Sequence, residues 1–448
     1  MRAYRKNRND CRTLNIRKTC SVRHNLFVFP KPRFHHSKSV YRRLLSVLSV
    51  SLLFLGCSQE PAAERVQDRE AADHIRLLEE IPEHVLEVEN LTVYPGDSEP
   101  MYRMELIPEV RFDDADGPYL FRVLGSVVDD RNQVVVWGTN TSYEQSLHAY
   151  TTEGTHLARI GRQGEGPGEY RTIVGLFVKG STLFVVDATN SRLNEYATAD
   201  FSVLRSTHIE QWDSGDGYRF GYVWPRSDGH YWLQFTDPRT TLGRLSARFQ
   251  IMDREGNSVQ DPSLTIPGSF RIQVGESMRP IMPLSFLGRT VQTFSGKDEL
   301  YTAWSQDFLI RRYDANGVYQ SAFYYPIRGL PFNLEEHTES NIFSPSTRDI
   351  ERAFAAIDQE LPETGPVVDM LMVDDESRIW AAVPMDGRRE MVEWWILEQS
   401  GELLAKLQRP VAHRIFDIKD GYLYGKEVDE ETGEEVLVKY RMEFRKAR

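Results

Sequence analysis

The chain has 448 residues, of which 27% are charged and 11% aromatic, and its formal net charge is −12. That length holds two or three ordinary domains or one large closed all-β ring, and the aromatic content can fill a sizeable core. Residues 1–43 carry thirteen Lys/Arg against Asp10 alone, while the rest carries 41 basic and 65 acidic residues. Acidity of that size repels nucleic acid, whose binding needs Lys/Arg against phosphates, and reads as a solubility device.

Arg42 and Arg43 precede LLSVLSVSLLFLG, thirteen uncharged residues. This is the charged start and short apolar core of a secretory signal, too short to span a bilayer. The stretch ends in Phe54-Leu55-Gly56-Cys57, which resembles the bacterial lipobox, although Phe54 stands where that pattern prefers Leu. The resemblance implies a lipidated Cys57 as the new N-terminus and, with Ser58 next, the outer membrane. Attached acyl chains contribute about 0.8 kcal/mol per buried CH₂. Cys57 would be the last cysteine once Cys11 and Cys20 leave with the leader, so no internal disulfide is expected. Residues 1–56 are thus basic leader and signal peptide. Because no Met occurs between Met1 and Met101, residues 1–39 read as an over-extended start. Residues 57–88 are polar and acidic and read as a flexible tether.

From residue 89 onward one pattern recurs. A turn precedes an apolar strand, then come a second strand, a hairpin and an outer strand. The copies begin at the turns 130–132, 180–181, 227–229, 296–298, 375–377 and 419–421. Their second hairpins hold Gly154, Gly256, Gly317 and Gly401 in four copies, and such residues supply the positive φ that tight hairpins need. Six copies, whose first strands start 43 to 79 residues apart, predict an all-β, six-bladed β-propeller over 89–448. The last copy lacks an outer strand. Residues 101–107 or 109–112 are expected to supply it, since ring closure removes exposed sheet edges. The inner strands are expected at 126–128, 176–178, 222–224, 291–294, 370–373 and 414–418. Trp394 and Trp395, on opposite faces of one strand, are expected in the core.

Residues 161–196 carry the pattern most sharply. Asp187-Ala-Thr-Asn190-Ser-Arg192-Leu193 resembles the NHL-repeat signature. With the run GRQGEGPGEY before it, the region resembles the six-bladed propeller lipoproteins of bacteria, a largely uncharacterised family. The resemblance implies fold and envelope location and names no reaction. Asp187 and Asn190 are expected to cap a turn, with Arg192 packed along the blade.

The loop formed by Gly161, Arg162, Gly164, Glu165, Gly166, Pro167, Gly168 and Glu169 is rich in glycine but is not a phosphate loop. It lacks the Lys-Ser/Thr ending, and Glu165 and Glu169 would repel an anion. It reads as an inter-blade connector. The segment 333–366 breaks the repeat. A helix is expected from Ser344-Pro345-Ser346-Thr347 onward, forming a short helical insertion between blades four and five. Ile350, Phe354 and Ile357 share one face of it and offer a candidate partner surface. Only Asp369, His413 and Asp417 lie near the expected inner strands as possible metal ligands, and no G-x-S-x-G or H-E-x-x-H occurs. No catalytic residue, cofactor or metal ligand is therefore assigned. The reading is a non-catalytic, membrane-anchored envelope module that binds a protein, peptide or glycan and no nucleic acid. The alternative is a hydrolase or lyase working in the axial channel with Ca²⁺ or another divalent metal.

Overall fold

Strand-forming runs and five-residue turns alternate along the chain, and in the computed structural model each group of four strands closes into one blade. The structure describes residues 81–113, 117–209, 212, 217–237, 243–259, 263–271, 286–340, 346–357, 360–386, 390–429 and 431–447. The leader, Cys57 and most of the tether lie outside these residues. All described residues belong to one compact unit, Asp73–Arg448.

Blade 1 holds Arg122–Val128, Val134–Thr139, Gln145–Tyr150 and His156–Ile160. Blade 2 holds Ile173–Lys179, Thr182–Asp187, Arg192–Ala197 and Val203–His208, and blade 3 holds Arg219–Pro225, Tyr231–Thr236, Gly243–Met252 and Leu264–Arg271. Blade 4 contains Thr290–Phe294, Leu300–Trp304, Leu309–Tyr313 and Tyr319–Tyr324, and blade 5 contains Met370–Val373, Ile379–Pro384, Met391–Leu397 and Leu403–Pro410. Blade 6 is Ile415–Lys419, Tyr422–Val428 and Glu435–Lys446, with Tyr102–Arg111 as its outer strand. Each blade runs antiparallel from inner to outer strand.

The turns explain why the strands start where they do. After the inner strand of four blades the chain makes a five-residue loop whose fourth member has positive φ: Asn132, Gly229, Asp298 and Ser377. A side chain in each turn accepts the free N–H groups. Asp129 takes those of Arg131 and Gln133, and Ser295 Oγ takes those of Lys297 and Glu299. Such turns satisfy backbone donors that a strand end leaves open.

Alternation along the strands sends side chains to opposite neighbours. Trp395 packs toward blade 4 with Tyr301, Phe308 and Tyr325, while Trp394 packs toward blade 6 with Leu423 and Tyr440. Both are 4% exposed. Burying one such side chain stabilises the fold by roughly 1.5–3 kcal/mol.

The closing strand is a single element. Tyr102–Arg111 pairs antiparallel with Glu435–Lys446 from Tyr102↔Lys446 to Arg111↔Val438. It spans both segments the sequence offered for this role, with a register shift between Pro108 and Val110. A second N-terminal strand, Leu91–Val93, adds in parallel to the outer edge of blade 4. The helix Glu83–Leu86 precedes it, with Val85 fully buried against Leu309, Ala322 and Tyr324. Residues 81–88 are thus packed on blade 4, because Ile81 and Val85 find an apolar bed there, and the tether read from sequence ends earlier than 88.

The insertion holds two helices, Leu334–Ser340 and Thr347–Ala355. Ser346 is the N-cap of the second and accepts from the Asp349 N–H. Residues 341–345, including Ser344 and Pro345, lie outside the described residues. The candidate surface is corrected here: Ile350 is fully buried and Phe354 is 4% exposed. Both join Phe286, Leu334 and Ala353, with Ile357 packed against the same cluster. Phe354 stacks on Phe270 at 6.1 Å. The apolar face of this helix is consumed by the chain's own blade 3 outer region.

Candidate functional site

The inner strands of all six blades surround one axial cavity of about 610 Å³, open at the end where inner strands turn into second strands. Every blade contributes to the wall, among them Val127, Phe177, Trp224, Phe294, Met372 and Phe416 in blade order. Each blade also has a polar residue at the mouth, among them Asp130, Lys179, Ser227, Lys297, Asp375 and Lys419. A concave site of this size, apolar in its walls and polar at a few positions, has the usual form of a ligand site.

Local backbone features shape the wall. The inner strands of blades 1, 2, 3 and 6 each carry a β-bulge, at Leu124, Val174, Gly221 and Phe416. A bulge re-aims the side chains after it. In blade 6 it places Phe416 and Asp417 together on the cavity wall.

The charges at the mouth are mostly paired. Lys419 Nζ donates to the carbonyls of Val128 and Asp129 at 3.3 and 2.9 Å and to Asp130 at 2.9 Å. Lys179 Nζ donates to Asp298 at 3.0 Å. Asp374 receives Arg378 Nε at 2.7 Å and Trp380 Nε1 at 2.9 Å. Asp417 differs. Its carboxylate accepts the Val128 N–H of blade 1 at 2.7 Å and the Ile418 N–H at 2.9 Å. Burial pushes it up to about 6, against the opposing pull of those two N–H groups and of Lys419.

Of the three residues named from sequence as possible metal ligands, only Asp417 lines the cavity. Asp369 forms an ion pair with Arg289, and the His413 carbonyl accepts Arg409 Nε at 3.2 Å. Among the described residues, no three His, Cys, Asp or Glu side chains are gathered where a metal ion could be held.

The loop at 161–169 lies elsewhere, between blades 1 and 2, and is tied down by side chains of blade 2. Arg162–Gln163 pairs in parallel with Glu169–Tyr170. Asn190 Nδ2 donates to the Gly164 carbonyl at 2.9 Å, Asn194 Nδ2 to that of Glu169 at 3.0 Å, and Tyr196 OH to that of Gly168 at 2.8 Å. Arg192 donates to the Glu165 carbonyl and contacts His208, so it reaches into the loop instead of lying along the blade. Gly168 adopts φ +71°, and a Cβ there would meet Val203 at 2.2 Å. The Gly166 N–H and the Arg162 guanidinium hold the Glu169 carboxyl below its usual range. Asp187 is fully buried and accepts the N–H groups of Arg171, Thr172, Thr189 and Asn190 as well as Asn190 Nδ2.

The insertion borders a second void, between Phe286, Phe332 and His337, of only about 50 Å³. That volume holds a water or two and no larger ligand. The wall aromatics Phe177, Trp224, Phe294 and Phe416 were not singled out from sequence. Their signal, a large residue just before each first turn, is shared by ordinary core strands.

Residues 120–260 match the family model described as 6-bladed beta-propeller. No curated protein matches the chain in sequence. Among solved structures the chain is similar to a member of the DUF4221 family from Bacteroides vulgatus, at 14% identity and TM-score 0.50, covering 78% of this chain and 100% of that one. It is also similar to an inferred exported protein from Bacteroides fragilis, at 12% identity and TM-score 0.46, covering 79% and 99%. Likeness at such identity is one of fold. The chain is a six-bladed β-propeller that matches the 6-bladed beta-propeller family over residues 120–260.

Proposed function

We propose that this protein is a non-catalytic binding module of the bacterial cell envelope, held at the outer membrane by lipid on Cys57. In this reading it takes a protein, peptide or glycan partner through one propeller face. The observation that carries the reading is the six-walled axial cavity of about 610 Å³, which opens on one face and is lined by every blade. The leader supports the location: a charged start, a short apolar core and a lipobox-like ending. The NHL-like signature around Asp187 supports kinship with the propeller lipoproteins and belongs to the same proposal.

The test uses the intact lipoprotein in its own envelope. A photo-crosslinking residue replaces Ser227, at the cavity mouth, or Tyr143, in an exposed loop of blade 1. The expected result is one stoichiometric adduct from position 227, lost when Trp224→Ala alters the wall, and none from position 143. Equal capture from both positions, or none from 227, would sink the reading. Labelled palmitate incorporation that survives Cys57→Ser would overturn the anchor.

A further inference from the structure

Aromatic residues from four blades line the axial cavity, together with the acids Asp130, Asp374, Asp375 and Asp417. Trp224 lies 5.1 Å from Phe294 and 4.7 Å from Tyr222, ring centre to ring centre. Phe177 and Phe416 complete the aromatic wall. Aromatic faces carry negative quadrupole charge and attract cations, most strongly where water is excluded.

The charge balance points the same way. Lys419 and Lys179 direct their ammonium groups into carbonyls, Asp130 and Asp298. Arg378 neutralises Asp374. Among the described residues this leaves Asp375 and Asp417 without an ion-pair partner, against Lys297 at the exposed mouth. Asp375 accepts the Asp420 N–H at 2.8 Å on the turn, whereas Asp417 sits on the wall beside Phe416. Asp417 uses two N–H donors, and a carboxylate has about four acceptor sites. It therefore keeps capacity for further donors, and burial disfavours its charged form until a cation arrives.

Resting on the binding-module reading above, we infer that the axial cavity receives a primary ammonium group, with Asp417 as its counter-ion, Phe416 beside it, and Trp224 and Phe294 on the facing wall against the chain that carries it. The ligand class is a primary alkylamine, such as the side chain of a lysine. An anion would face Asp417 directly and is disfavoured. A neutral alcohol would gain the ring contacts without the ion pair.

The experiment is ligand-observed NMR on the mature protein with three probes of equal length: n-pentylamine, 1-pentanol and valerate. The amine is expected to bind at least tenfold more tightly than the other two. Asp417→Asn, which keeps an acceptor for the Val128 N–H, is expected to erase that preference. The wild-type preference is also expected to fall about tenfold from pH 7.5 to pH 5 as the Asp417 carboxylate, flanked by Lys419 and Asp375, takes a proton. Trp224→Ala is expected to weaken all three probes. Equal binding of amine and alcohol, or amine binding indifferent to Asp417→Asn, overturns the ammonium site. If such binding is still lost in Trp224→Ala, the cavity binds ligands and the broader reading stands. Binding of none of the probes overturns the ammonium site, and the crosslinking at position 227 then judges the broader reading alone.

Discussion

Blade 2 and blade 6 are four-stranded sheets of the same topology, but they are assembled in opposite ways. Blade 2 is continuous in sequence from Ile173 to His208, and its corner is fastened by Asp187, whose carboxylate accepts four backbone N–H groups. Blade 6 takes three strands from the C-terminal end and its fourth, Tyr102–Arg111, from more than three hundred residues earlier. Its seam with blade 1 is an apolar cluster of Val123, Val128, Tyr150, Tyr424 and Leu437 crossed by a few polar ties. Glu435 accepts the Val123 N–H at 2.9 Å and pairs with Lys426 at 2.7 Å, and Asp417 accepts the Val128 N–H. A blade closed locally can be fixed by side-chain capping. A blade closed by a remote strand must also overcome loop-closure entropy, and long-range pairing is intrinsically slow.

The largest expected effect breaks that closure. Deleting residues 81–112 removes the strand and exposes the edge of Glu435–Lys446, so the cooperative thermal transition is expected to vanish. Circular dichroism melts check this, and a truncated protein that still melts cooperatively would show the closure to be dispensable. A circular permutant sharpens the contrast. Tyr102 lies opposite Lys446, so a short turn can join the C-terminus to residue 102 and make blade 6 continuous like blade 2. That permutant is expected to melt within a few degrees of the parent and to refold faster, by stopped-flow fluorescence. A permutant that does not fold would mean the N-terminal segment does more than close the ring.

The same contrast explains what the sequence disclosed. Blade 2 could be read residue by residue because its turn, cap and strands are neighbours in the chain. The role of Arg192 could not, since its acceptor is a carbonyl in a loop whose path is set only by folding. The closing strand read as two segments because Pro108 interrupts it. Proline has no N–H to donate, and the ladder absorbs it with a register shift. The insertion helix showed an apolar face correctly, but its occupants, Phe270 and Phe286, come from a stretch without repeat pattern. The six inner strands fall where the repeat puts them, but the side chains that line the cavity do not follow from spacing, because bulges such as that at Phe416 re-aim them.

Within the intact ring, the next effect separates the two fastenings. Asp187→Ala leaves several buried N–H groups without an acceptor, and stability is expected to fall by about 3–5 kcal/mol. Glu435→Ala orphans the Val123 N–H and Lys426, each beside partial solvent, and about 2 kcal/mol is expected. Urea midpoints measure both. A Glu435 effect larger than that of Asp187 would reverse the ranking and make the polar ties of the seam the dominant fastening.

The smallest expected net effect is a cancellation in the parent protein at the seam between blades 6 and 1. Asp417 is pushed up by burial to about 6. A carboxyl raised above its unfolded value near 3.9 favours folding when protonated, so its contribution is complete below about pH 4 and is lost as pH rises through 6. His148, 3.2 Å from His156, is pushed down to about 4 by burial first and by His156 and Arg159 next. A histidine lowered from about 6.5 contributes above pH 6.5, and that contribution is lost as pH falls toward 4. The two effects oppose each other over the same window, each on the order of 3 kcal/mol. Parent stability is therefore expected to be nearly flat between pH 4 and 6.5. Asp417→Asn should unmask the histidine, with urea midpoints falling as pH drops, and His148→Gln should unmask the acid, with midpoints rising. If the parent is flat and both variants are flat as well, neither group is linked to folding, and the seam is held by packing and backbone hydrogen bonds alone.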